Sequence, residues 1–366
     1  MDEYTVINGN IKWLQFNLNE LSLAGYDAGP ADNRFTTPAQ RSRLTSLVET
    51  LSSTSHYLAS SSQGVAWSAT MCFVRYIIAY NHIIVPGQDI CDLTLCGFVI
   101  FMAISGKHRS IRTYLSMGPQ IIVENMGVPY HKPSQRPRLH RVLKSIDRIW
   151  GKAVSRKQPI TIPHLRKMAK VVAARPTKLR VMIMTAILVA FFSLIRKSAF
   201  CAPSKTTFDP VVQLTVGDLR ISGSRATITL QHTKTIQYSE RDLEIHLPLL
   251  ENDICPTNLL CAMLETRADA GPDTPLFVTD DQNTPLTDAV FRKEFSSLLK
   301  EAGIPTDKKS PHSLRRGGTS SAFESGCNPT CIKMQGDWAS DAYLIYIWVT
   351  DALKTEVVKT WEAALR

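Results

Sequence analysis

The chain has 366 residues, 44% of them hydrophobic and 20% charged, which is enough apolar sequence for two cored domains and excludes a largely disordered or low-complexity chain. The formal net charge is +10 and the pI about 9.2, a basic surplus that suggests a polyanionic partner. The surplus is concentrated: Lys132 to Arg180 holds fifteen Lys or Arg and one acid, Asp147, a local +14 that leaves about −4 for the rest.

Residues 1–35 lack periodicity and form a variable lead. Thr37-Pro38, a cap followed by Pro at the first helical position, opens a helix with Leu44, Leu47, Val48 and Leu51 at helical spacing. A second helix carries Trp67, Met71, Val74, Ile77 and Ile78 and ends before Pro86-Gly87. A third covers 93–104, closed by Gly106, and a fourth 110–126, closed by Gly127. Four short helices with tight connections make a small helical domain. In the basic stretch 139–150 is helix-like, and the polar segment 155–159 marks the domain boundary. A helix then opens near Thr161 or Pro163 with His164, Leu165, Met168, Val171 and Val172. The next follows Pro176 and runs through the apolar stretch to Arg196.

Beyond it the period changes. Residues 226–230 and 243–247 alternate and read as a β-hairpin, with a turn over 231–235. Helices resume over 256–269, over 287–302 with Thr287 as N-cap and Gly303 as stop, and over 312–325 with Gly326 as C-cap. Pro329 starts a short helix, and Ser340 or Asp341 caps another that contains Tyr343 and Tyr346. The eight cysteines include no C-x-x-C pair, so core thiols in a reducing compartment are expected and no zinc site. The N-terminus has no apolar signal-peptide core, and the longest apolar run, 181–195, is too short for a typical membrane span.

Four separated signals carry chemistry: Arg196 at the end of the apolar helix, Lys234 in the turn His232-Thr-Lys-Thr235, the run His312-Ser-Leu-Arg315-Arg-Gly-Gly318, and Gly336-Asp-Trp338 through Tyr343 to Tyr346. His312 and Arg315 stand at i and i+3 and share a helix face. Singly, each has a plain reading: a surface arginine, a solvated turn lysine, a chance His-x-x-Arg, a boundary tyrosine. In the order Arg, Lys, His-x-x-Arg, Tyr they resemble the catalytic signature of the tyrosine recombinases, the phage-integrase family. The contexts 191–198, 234–237, 312–318 and 336–346 are closest in style to recombinases of eukaryotic mobile elements, of the Crypton or DIRS-like kind. The resemblance is strong over 160–366, weak over 37–157 and absent over 1–35.

The resemblance implies a mostly α chain, with a helical core-binding, DNA-binding domain over 36–157 and an α+β catalytic domain over 158–366 that holds a small β-hairpin sheet. The two domains are expected to clamp double-stranded DNA, as a dimer on a site and a tetramer in the synapse, with no membrane partner. Action in the nucleus follows if the source is eukaryotic, as the motif style suggests, and in the cytoplasm with DNA otherwise. The implied reaction is site-specific recombination or integration through a 3′-phosphotyrosyl intermediate, without metal, nucleotide or other cofactor. The sequence agrees: it has no P-loop pattern and no convincing carboxylate cluster for two-metal catalysis.

Each role follows from what phosphodiester cleavage demands. Arg196 and Arg315 offer planar forks of donors to the extra negative charge on the pentacoordinate phosphorus. His312 adds a hydrogen bond or assists removal of the tyrosine proton. Lys234 is the candidate general acid for the leaving 5′ oxygen. The family spacing implies Tyr346, ten residues after Gly336, as the nucleophile, and the resemblance implies Tyr343 as an aromatic packing residue. Two places depart from the family pattern. An acidic residue often stands three positions after the first Arg, where this chain has Ala199, so Arg196 is expected to be held differently. The His or Trp before the nucleophile usually follows the Gly directly; here Asp337 does, and Trp338, one step later, is assigned as the packing and hydrogen-bonding group. A domesticated, inactive DNA-binding protein of the same descent and a type IB topoisomerase are the alternative readings.

Overall fold

A computed structural model of the chain describes residues 60–80, 82, 89–125, 131, 133–151, 156–223, 225–237, 240–279, 284–348 and 351–365. The expected lead over 1–35 and the helix expected from Thr37 lie outside these residues. The chain divides into two compact units, Met1–Val154 and Ser155–Arg366.

In the first unit α1 (Ser60–Ala79), α2 (Asp92–Ile104), α3 (Ile111–Asn125) and α4 (Pro137–Trp150) bury a core that includes Phe73, Phe98, Leu95, Met102, Ile111, Leu115 and Leu139. α1 lies against α3 and α2 against α4. Gly118 sets the first pairing, because a Cβ there would stand 2.6 Å from the carbonyl oxygen of Ala69. α4 buries Leu139, Leu143 and Ile146 along one stripe and leaves Arg138, Arg141, Lys144 and Arg148 exposed. Arg136, at its N-cap, turns inward instead and is 5% exposed. Its Nη1 donates to Asp92 at 2.5 Å and to the Ile90 carbonyl at 2.9 Å, and its Nη2 donates to Asp89 at 2.5 Å. One cation of the basic stretch is therefore an internal strut and not part of the cationic face.

The second unit opens with α5 (Ile162–Ala174), N-capped by a reciprocal Thr161–His164 box. α6 (Lys178–Phe192) follows, capped by Thr177. It buries every residue from Ile183 to Phe191, the pattern of a helix enclosed on all sides. α6 stops four residues before Arg196. Ser193 Oγ turns back onto the Val189 carbonyl at 2.5 Å, and Leu194 takes a left-handed backbone with φ 57°. Arg196 then stands in extended conformation before a single 3₁₀ turn, Lys197–Ala199.

The expected hairpin is one half of a three-stranded antiparallel sheet, in the order β1 (Leu219–Ser222), β2 (Arg225–Leu230), β3 (Leu243–Leu247). The tight turn is the one between β1 and β2, where Ser222 pairs with Arg225 and Gly223 supplies φ 59°. α7 (Pro256–Glu265), shorter than expected, α8 (Asp288–Glu301), α9 (His312–Glu324), α10 (Pro329–Gln335), a 3₁₀ helix (Asp341–Tyr346) and α11 (Asp351–Ala364) complete the unit. Thr287 caps α8, and Gly303 ends it at φ 67°. Among the described residues no helix is long and apolar enough to cross a membrane.

Candidate active site

The site forms where α9 crosses the end of α6. Side chains at Gly317 or Gly318 would collide with the carbonyl oxygens of Ile160 and Phe191, so the glycine pair lets α9 touch backbone directly. That approach carries the nearby Arg315 to the broken end of α6. Arg315 is 3% exposed. Its Nη1 donates to the Leu194 carbonyl, which the left-handed turn has freed from helical bonding, and its Nη2 donates to the Gly336 carbonyl at 2.6 Å.

The Arg315 guanidinium lies on the Trp338 ring, 3.9 Å from its centroid, and 5.4 Å from the centroid of Tyr346. Trp338 and Tyr346 stand 5.2 Å apart, and the His312 ring lies 5.0 Å from Tyr346. Gly336 makes room for this stack, because a Cβ at that position would strike the indole. Three of the expected site residues, His312, Arg315 and Trp338, thus surround a fourth, Tyr346. Trp338 packs as expected, but its Nε1, like Arg315 Nε, is a buried donor with no partner among the described residues.

Burial pushes the Arg315 guanidinium down to about 9; Arg196 pushes the same way, while Tyr346 and Asp337 pull back. It still holds its charge at neutral pH. Partial desolvation, then the positive charges of Arg315, Arg316 and Arg196, hold His312 below the ordinary histidine value. A neutral imidazole next to Tyr346 can accept a proton. Arg196 belongs to the same electrostatic group, half-buried, and no described residue forms a hydrogen bond or ion pair with its guanidinium. Ala199, in the place of the family's acid, is nearly buried and packs in the main core.

The segment bearing the tyrosines is 3₁₀, not α, and Tyr346 is its last residue. Its backbone is nonetheless tied to α9. Arg316 Nη2 donates to the Ile345 carbonyl at 2.8 Å, and Ser320 Oγ donates to the Tyr346 carbonyl at 3.3 Å while accepting from the Trp348 amide at 2.8 Å. Tyr343 is buried, 6.2 Å from Trp338, whereas Tyr346 is partly exposed.

Lys234 is exposed, on the connection between β2 and β3. It is not among the side chains stacked about Tyr346, but the hydroxyls flanking it, Thr233 and Thr235, both donate to Oδ2 of Asp337. Arg241 donates to Oδ1 at 2.5 Å. Burial alone would raise the Asp337 carboxyl, but the hydrogen bonds from Thr233, Thr235 and Arg241 hold it below the usual carboxylate range. Asp337, Arg316, Ser320 and Arg241 are absent from the expected site. A single acid between Gly336 and Trp338 is the one visible signal for Asp337; nothing in spacing or period marks the other three.

No family model matches the chain, and no curated protein matches it. Solved structures do. XerH site-specific recombinase bound to palindromic difH substrate, a post-cleavage complex, is 15% identical, with 90% of this chain and 91% of that chain covered and a TM-score of 0.54. A lambda integrase (75–356) dimer bound to a COC′ core site is 14% identical over 86% of this chain and 98% of that one, with a TM-score of 0.52. The Tn1549 transposon integrase (82–397) in complex with circular intermediate DNA is 13% identical over 79% and 98%, at a TM-score of 0.50. Identities this low show the fold alone: a mostly helical chain with a small three-stranded sheet, the fold of the tyrosine recombinases.

Proposed function

We propose that this chain is a site-specific DNA recombinase or integrase that cleaves and rejoins strands through a 3′-phosphotyrosyl intermediate, without metal or nucleotide. The observation that carries the reading is the surround of Tyr346: a partly exposed phenol set among a neutral-leaning imidazole, a buried guanidinium with no carboxylate partner, and an indole with an unused N–H. Buried donors without partners are rare in folded proteins.

In the proposed step the Tyr346 oxygen attacks phosphorus and the bond to the 5′ oxygen breaks. The phenolic proton passes to His312, and Lys234 gives a proton to the leaving 5′ oxygen. Arg315 and Arg196 oppose the added negative charge at the pentacoordinate stage. The new phosphotyrosyl diester keeps the energy of the broken bond, so a second 5′ hydroxyl reseals the strand by the reverse path. Residues 36–157 would serve as the core-binding domain and 158–366 as the catalytic one, on double-stranded DNA, as a dimer on a site and a tetramer in the synapse. The exposed cations of α4 suit phosphate contacts that fix position without reading sequence. The motif style supports kinship with Crypton or DIRS-like recombinases, and hence action in the nucleus.

The test uses nicked duplexes made from the DNA flanking the coding region. A covalent protein–DNA adduct should form in EDTA and without nucleotide. A strict Mg²⁺ requirement for adduct formation would contradict the mechanism. Relaxation of supercoiled DNA by a monomer, with no strand exchange, would move the chain to the type IB topoisomerases.

A further inference from the structure

A general acid on a loop works only if the loop holds it near the leaving oxygen, and the β2–β3 connection that bears Lys234 is twelve residues long. That loop is fastened internally. Thr233 Oγ1 accepts from the amides of Thr235 and Ile236, both at 3.1 Å, Gln237 Nε2 donates to the Lys234 carbonyl at 2.7 Å, and Ile236 is fully buried. It is also fastened to the site at Asp337, by that residue's side chain and by a longer bond, 3.4 Å, from Thr235 Oγ1 to its carbonyl. Asp337 is 7% exposed and has a left-handed backbone, φ 52°, where it closes α10: its amide donates to the Met334 carbonyl and the Trp338 amide to the Lys333 carbonyl. Both its oxygens are used on this loop and on Arg241, at the loop's far end. On either side of it, the Gly336 carbonyl holds Arg315 and the Trp338 ring lies under Arg315.

We propose that Asp337 is a positioning residue for Lys234: its carboxylate pins the hydroxyls on both sides of the lysine to the backbone that holds Arg315 and Trp338. The inference rests on Lys234 as general acid. Asp337 touches no reacting atom, and its effect passes through Lys234. A charge kept only to neutralise Arg241 would not require the two threonines.

The experiment measures adduct formation on a nicked duplex with either the ordinary 5′ oxygen or a 5′-thio leaving group, which needs no acid. General acids contribute about 10²–10⁴-fold, so Asp337→Asn should slow the ordinary substrate by about tenfold or more, and the thio substrate should recover most of that loss. Thr233→Val/Thr235→Val, which leaves Asp337 and Arg241 paired, should behave alike. Combined with Lys234→Ala, Asp337→Asn should add less than about threefold, because the two act as a unit. Equal slowing of both substrates, or no slowing, would overturn the proposal. A second readout is independent of activity: trypsin should cut after Lys234 faster in Asp337→Asn than in the parent, since the pinned loop must open first. Unchanged cutting would remove the latch even if adducts form. A parent protein that forms no adduct on either substrate would sink the recombinase reading, whatever trypsin shows.

Discussion

Two buried arginines, one in each unit, solve the same problem in opposite ways. Arg136 brings its counter-charge with it: burial lowers its affinity for its proton, but Asp92 and Asp89 more than reverse this and raise it above the ordinary arginine value. Arg315 is as deeply buried, yet two of its donors meet backbone carbonyls, and its pKa falls to about 9. The nearby carboxylate, Asp337, is already shared among Thr233, Thr235 and Arg241. A buried cation balanced from within is part of the fold. A buried cation left unbalanced destabilises the fold and gains from an anion that arrives from outside.

This contrast can be broken at either arginine. Arg315→Ala should lower the rate of adduct formation by about 10³-fold, the scale of losing one preorganised charge donor, in protein that still folds. A variant that unfolds but, where folded, still reacts would make Arg315 a strut like Arg136. Arg136→Ala should do the reverse. It leaves Asp92 without its cation and Asp89 with only His131, at 3.6 Å, and should cost about 2–3 kcal/mol in urea unfolding, below the roughly 3–5 of fully buried pairs because each aspartate is about a third exposed. A change within about 0.5 kcal/mol would contradict the strut.

The exposed cations sharpen the same division more gently. Replacing Arg138, Arg141 and Lys144 with Ala should flatten the salt dependence of DNA binding by roughly 0.9 for each phosphate no longer neutralised, without the stability loss seen at Arg136. An unchanged slope would mean that α4 does not face DNA. The smallest effect concerns His312, whose folded pKa lies below the ordinary value. The unfolded chain then takes up its proton first as pH falls, so stability is full above about 6.5 and declines below it. His164 is shifted the same way, so the parent should lose stability between about pH 7 and 5 at two sites and His312→Gln at one. Equal losses in parent and variant would place His312 in ordinary solvent.

Short spacing and local chemistry are legible in the residues alone. His312 and Arg315 share a face at i and i+3, whereas the close backbone approach at Gly317-Gly318 shows only in the structure. Arg136 and Arg138 are two residues apart in one basic run, and charge counting cannot separate them; the aspartates that claim Arg136 lie 44 and 47 residues earlier. The end of α6 is hidden because Leu194 is a poor left-handed residue; the turn is held by the Arg315 bond to its carbonyl and by packing of its side chain with Ile332, Trp338 and Tyr343. β1 is four residues long and falls below the length at which alternation is visible. Asp337 reads as a misplaced surface acid in the Gly-to-Tyr motif, since its partners are about a hundred residues away in sequence.

Tyr346 as the nucleophile of this surround is tested most directly by peptide mapping of the adduct formed on a nicked duplex. The adduct should map to the peptide containing Tyr346, and specifically to that residue. Tyr346→Phe should bind DNA as the parent does and form no adduct. Tyr343→Phe should still react, because Tyr343 is buried with its ring beside Trp338. An adduct mapped to Tyr343, or an active Tyr346→Phe protein, would contradict the account.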